Sequence, residues 1–117
     1  METDELTTYI SKKDFLHALS VTEQDFDVPG LGSVRIRALT LAERGVMQKK
    51  YIKGEEVDNM GMQTELLLKG LVSPRLSEKD VAAIKAGLPG LVDMITLKIM
   101  GASGMGENFE KKVGPGS

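Results

Sequence analysis

The chain contains no cysteine. Disulfides, thiolate zinc ligands and thiol nucleophiles are therefore excluded, and a reducing compartment suits it better than a secreted disulfide scaffold. Histidine occurs once, as His17, with no second imidazole and no carboxylate four residues away to form a helical ligand pair. Tryptophan is absent, and only Tyr9, Phe15, Phe26, Tyr51 and Phe109 are aromatic. A core must be built from Leu, Ile, Val, Ala and seven Met. Long hydrophobic runs are also missing. The most apolar stretch, Leu88 to Met100, is interrupted by Asp93 and Lys98 and falls short of the ~20 residues of a membrane span. The N-terminus is acidic where a signal peptide would be basic, so a soluble, intracellular protein is expected. No excess of either charge points to a polyanion or a basic partner, because the net charge is −2.

What is present fits one small domain. At 117 residues, two separate cores would each be too small. Charge is segregated along the chain. Residues 1–30 carry a net −5, residues 31–53 a net +5, residues 54–80 a net −3 and residues 81–117 a net +1. The basic block contains Arg35, Arg37, Arg44, Lys49, Lys50 and Lys53. Its ordinary explanation is a solvated strand and helix answered by acidic flanks.

Local patterns predict an α+β fold, mostly α: a short N-terminal helix, a β-hairpin, then about four helices in a small bundle. Ser11 caps a helix whose apolar stripe is Phe15, Leu16 and Leu19, with Asp14 at the favourable end of its dipole. Alternation then appears on both sides of Pro29-Gly30-Leu31-Gly32, which predicts the hairpin, with Asp25 and Asp27 facing Arg35 and Arg37 across the strands. Thr40 and Glu43 fit a capping box opening a helix to about Ile52, ended by Gly54. Asp58 or Asn59 opens the next helix, carried to Leu71, with Met60, Leu67 and Leu71 as its stripe. Pro74 breaks the pattern, Ser77 caps a short helix, and a last helix from Pro89 to Ala102 carries Leu88, Val92, Ile95, Ile99 and Ala102 at helical spacing. The domain is expected over residues 11–103, with flexible segments at 1–10 and 104–117.

No arrangement of residues supplies a recognisable catalytic centre. Gly101-Ala102-Ser103-Gly104-Met105-Gly106 follows a helix instead of opening one, so it reads as a helix terminator and not as a dinucleotide loop. Glu55 and Glu56 fall in a polar loop. No catalytic residue, metal ligand or cofactor is expected. The methionines are the more informative feature, because flexible, polarizable side chains suit a surface that accepts irregular apolar partners. The apolar helical positions Met60, Met62, Leu66, Ile95, Ile99 and Met100 are the candidate partner-binding residues. The helices at 58–72 and 89–102 also carry more apolar surface than so short a chain easily buries, which points to self-association.

The order of these features resembles the tail assembly chaperones of long-tailed bacteriophages and prophages. The resemblance covers about residues 11–106. It rests on Lys12-Lys13-Asp14-Phe15-Leu16, the strand pair Phe26 to Arg37 about its Pro-Gly-Leu-Gly turn, Leu39-Thr40-Leu41-Ala42-Glu43-Arg44, and Gly70 to Asp80 with its Ser-Pro-Arg-Leu-Ser-Glu-Lys-Asp segment. A closing helix ends it in Gly101-Ala102-Ser103-Gly104. The resemblance implies a non-enzymatic protein of the host cytoplasm, absent from the mature virion. Its implied partners are the helical, aggregation-prone tape-measure protein and the tail-tube protein that polymerises around it. It also implies a longer form made by programmed frameshifting, for which Glu110-Lys111-Lys112 is the candidate slip position. The Gly114-Pro115-Gly116-Ser117 end also matches a common cloning scar. Two other readings stand beside this one. A structural head–tail or tail connector would stay in the virion, and a nucleic-acid-binding regulator would use the basic block.

Overall fold

The computed structural model describes residues 8–105. It has an α+β fold, mostly α. Helix α1 (Lys12–Ala18) leads into a hairpin of β1 (Glu23–Val28) and β2 (Gly32–Arg37). Helix α2 (Leu41–Tyr51) is followed by a second, two-residue-per-arm hairpin, β3 (Ile52–Lys53) and β4 (Glu56–Val57). Helix α3 (Asn59–Gly70) runs directly into β5 (Leu71–Ser73). A single 3-10 turn (Glu78–Asp80) opens α4 (Val81–Lys85), and α5 (Pro89–Ala102) closes the domain.

Each expected N-cap forms. The side chains of Ser11, Thr40 and Asp58 accept hydrogen bonds from the backbone N–H groups of Asp14, Glu43 and Gly61. Ser77 accepts from the backbone N–H of Lys79. The capping box at Thr40 is complete, because Glu43 Oε1 accepts from the Thr40 N–H at 2.9 Å. The first hairpin turns through Pro29-Gly30. Gly30 has φ +83°, the value needed at the second central residue of a type II turn, and the Leu31 N–H donates to the Val28 carbonyl at 2.9 Å.

Three local readings are corrected. Residues Leu71–Ser73 form a third strand that pairs antiparallel with β2, giving the sheet order β1-β2-β5. Three residues at the end of a helix are too few to display alternation, so the local pattern there is that of a helix and a break. Gly54 adopts φ +62° in the turn of the β3–β4 hairpin, where it serves as a hairpin residue and not a helix terminus. Only one of the two expected cross-strand ion pairs forms. The Arg35 Nε donates to Asp25 at 2.7 Å, but Asp27 accepts from the Ser33 hydroxyl and Arg37 turns to Glu43. The register explains this, since Asp27 lies opposite Ser33.

The core lies between α3, α5 and the inner face of the sheet. Ile36, Met47, Leu66 and Ile99 are its most enclosed apolar members. Gly70 lets α3 and α5 approach closely, because a Cβ there would stand 2.6 Å from Ile99 Cγ2. Two buried threonines are satisfied within their own helices: Thr64 donates to the Met60 carbonyl and Thr96 to that of Val92.

The terminator reading of the glycine segment holds, and the end of the helix is tighter than expected. Gly104 has φ +74°, its N–H bonds to the Gly101 carbonyl, and the Met105 N–H bonds to Met100 at 2.8 Å. This is a Schellman motif with its usual apolar contact, for Met105 is buried in the core cluster. The flexible tail expected from residue 104 therefore does not include Gly104 and Met105. Its remainder, with the candidate slip position, lies outside the described residues, as do residues 1–7 of the expected N-terminal segment. Ser103 ties this end to the rest of the fold. Its Oγ accepts from the Leu39 N–H at 2.8 Å and donates to the Ile99 carbonyl at 2.7 Å.

Candidate functional site

The six candidate partner-binding residues do not form one surface. Met60 alone is exposed, at 57%. Met62, Leu66, Ile95, Ile99 and Met100 are buried in the core cluster, which corrects their assignment as surface contacts. Helical spacing places Ile95 and Ile99 on an inward face, which the α3–α5 interface uses for stability, whereas Met60, a member of the expected α3 stripe, is exposed, and that reading is corrected. Met60 differs because α3 presents Met62, Leu66 and Leu67 to the core and turns its first residues outward. Of the buried five, Met62, Leu66 and Met100 also line a cleft of about 280 Å³ between α3 and α5, whose rim holds a hydrogen bond from Gln63 to Asp93.

A more apolar opening lies elsewhere. A groove of about 360 Å³ runs between the turn end of the first hairpin, the segment from Leu71 to Leu76, and the α4–α5 corner. Leu67, Leu71 and Ile95 form its buried floor. Val34, Leu76, Ile84, Leu91 and Val92 are half-buried along its walls. Leu31 and Leu88 form its lips and are 72% and 77% exposed. Among the residues lining it, Asp80 alone carries a charge.

Both lips sit in turns. Leu31 lies between Gly30 and Gly32, and Leu88 lies between Gly87 and Pro89. Leu88 is the N-cap residue of α5, so its backbone is extended and its side chain leaves the helical stripe. By spacing Leu88 is the first member of the α5 stripe, and by its glycine neighbours Leu31 is a turn residue. The available signal was a large apolar side chain held in each of two Gly/Pro turns, where polar residues are usual. Such a groove has the size of ligand sites, typically ~300–1,000 Å³, but lacks their converging polar groups.

The electrostatics of the domain are structural. Arg37 makes two parallel bonds to Glu43, at 2.9 and 2.8 Å, across the β2–α2 connection. Arg37, with the Thr40 N–H, lowers the Glu43 carboxyl to about 2. Asp25 is held below the usual carboxylate range by its bond from Arg35. Glu65 accepts a 2.6 Å bond from the Tyr51 hydroxyl and faces Lys50 and Lys69. Three members of the basic block are thus engaged by carboxylates of the same chain: Arg35, Arg37 and Lys50. Among the described residues, no three His, Asp or Glu side chains gather as a metal site. His17 is exposed on α1. No described helix is long and apolar enough to cross a membrane.

The structure shows a small α+β domain with an open apolar groove. In comparison with known proteins, the chain matches no family model, no curated protein and no solved structure.

Proposed function

We propose that this chain is a non-catalytic binding protein that acts as a phage tail assembly chaperone. It takes apolar segments of the helical tape-measure protein into the groove between the first hairpin and the α4–α5 corner, and keeps them soluble until tail-tube subunits polymerise around them. The observation that supports this reading is the groove itself: about 360 Å³, apolar on floor, walls and lips, with Asp80 as its one charged lining residue. An apolar helix face presented by a client would find there the same environment as in a helix-in-groove complex. The exposed lips Leu31 and Leu88 offer contact without disturbing the core.

The test is co-expression with the tape-measure protein encoded nearby. The wild-type chain should co-purify with it and suppress its aggregation. Leu31→Asp and Leu88→Asp should each weaken capture by about tenfold or more, because each places a charge in the apolar contact. Failure of the wild-type chain to bind, or unchanged capture by both variants, overturns the proposal.

A further inference from the structure

We infer that, before a client is bound, the groove is occupied by α1 of a second copy of this chain. Helix α1 spans seven residues and has its own N-cap, yet none of its residues is buried. Its apolar stripe faces outward, with Phe15, Leu16 and Leu19 exposed at 52%, 54% and 63%. A helix this short is marginal in water unless an apolar face packs against something. Among the described residues the same molecule also carries an open apolar groove. The helix also brings Lys12 and Lys13, and the groove's single charged lining residue is Asp80.

The chain connectivity directs this contact to another copy. Thr22 is held at the far end of the hairpin, where its carbonyl accepts the Ala38 N–H at 3.4 Å. The lip residue Leu31 belongs to the opposite, turn end, about 20 Å away at the rise of a strand. Between the end of α1 and Thr22 only a few residues are free. The three Cα–Cα steps from Leu19 to Thr22 span at most ~11 Å, so Leu19 stays well short of the turn end. Folded back along its own hairpin, α1 cannot bring Phe15, Leu16 and Leu19 to Leu31 and Leu88 together. A second copy carries no such tether. Exchange of α1 between two copies closes a dimer, and one-way exchange builds a chain of subunits.

The docking stands on the helix and the groove alone. Its consequence for a client rests on the chaperone reading: α1 and client then compete for one surface, and self-association falls as the client binds.

The absence of cysteine makes the test clean. Chains carrying Leu16→Cys and Leu88→Cys, mixed and mildly oxidised, should yield a disulfide-linked heterodimer well above the yield of a Leu16→Cys and Lys53→Cys control pair. The doubly substituted chain should cross-link between molecules. A monomer with an internal cross-link, or a heterodimer yield no greater than the control, overturns the proposal. Sedimentation gives the second arm. Wild type should associate with rising concentration, while Phe15→Asp/Leu16→Asp remains a monomer with an unchanged unfolding transition. A wild type that stays monomeric overturns the docking. Client binding separates the two readings. If the docking is right and the groove holds client, Phe15→Asp/Leu16→Asp binds client several-fold more tightly and Leu88→Asp loses it. If cross-links form but client binding ignores both variants, the docking stands and the chaperone site falls. If Leu88→Asp loses client and no cross-link forms, the reverse holds.

Discussion

Helices α1 and α5 have the same sequence grammar and opposite fates. Each has an apolar stripe at helical spacing and a defined start. Helix α5 buries Ile95, Thr96, Ile99 and Met100, is locked at its end by a Schellman turn, and is bonded to the β2–α2 connection through Ser103. Helix α1 buries nothing. The difference lies in what the chain places opposite each stripe. Helix α5 meets α3 at Gly70, where the missing side chain admits Ile99. Helix α1 precedes an edge strand, and among the described residues no element buries its stripe. An amphipathic stripe therefore states that a face needs cover, and leaves the identity of the cover to the rest of the fold.

Substitutions on the two sides of this comparison should separate widely. Leu66→Ala, which hollows the α3–α5 interface at a fully buried position, should cost about 2–5 kcal/mol in chemical denaturation. Glu43→Gln should cost less, about 1–2 kcal/mol, by loosening the bidentate link from Arg37 that fixes α2 to the sheet. The effect has a pH signature. The folded-state pKa of Glu43 is lowered to about 2, so its contribution is fully present above the unfolded carboxylate value of ~4.3 and is lost as pH falls toward 2. Denaturation of wild type should weaken across that window, and the Glu43→Gln difference should shrink with it. Gly104→Ala should cost about 1 kcal/mol, because φ +74° is unfavourable for a residue with a Cβ, and its effect should appear as fraying at the end of α5 in hydrogen exchange. Phe15→Ala in dilute solution should change stability by no more than ~0.5 kcal/mol, since Phe15 is 52% exposed. A loss comparable with that of Leu66→Ala would mean that α1 packs on its own subunit.

Much of the fold was legible because its signals are local. A cap at Ser11, Thr40, Asp58 or Ser77 is satisfied within three residues, and a Pro-Gly turn between alternating segments needs nothing remote. The misreadings share a cause. Leu71–Ser73 is a strand only because β2 offers it a ladder. Met60 and Met62 have equal claims on a core by composition, and the rotation of α3 against α5 chooses Met62. Leu31 and Leu88 lie far apart in the chain and become a pair only where the hairpin turn meets the α4–α5 corner.

Local chemistry dictated the composition limits, the positions of most helix starts, the hairpin and its turn, and the existence of apolar faces. Each follows from interactions within a few residues or from the inventory of side chains. Tertiary structure alone decided which apolar faces became core and which stayed open. That choice depends on the total apolar surface competing for a few facing elements: α5 is covered by α3, and among the described residues no element buries α1.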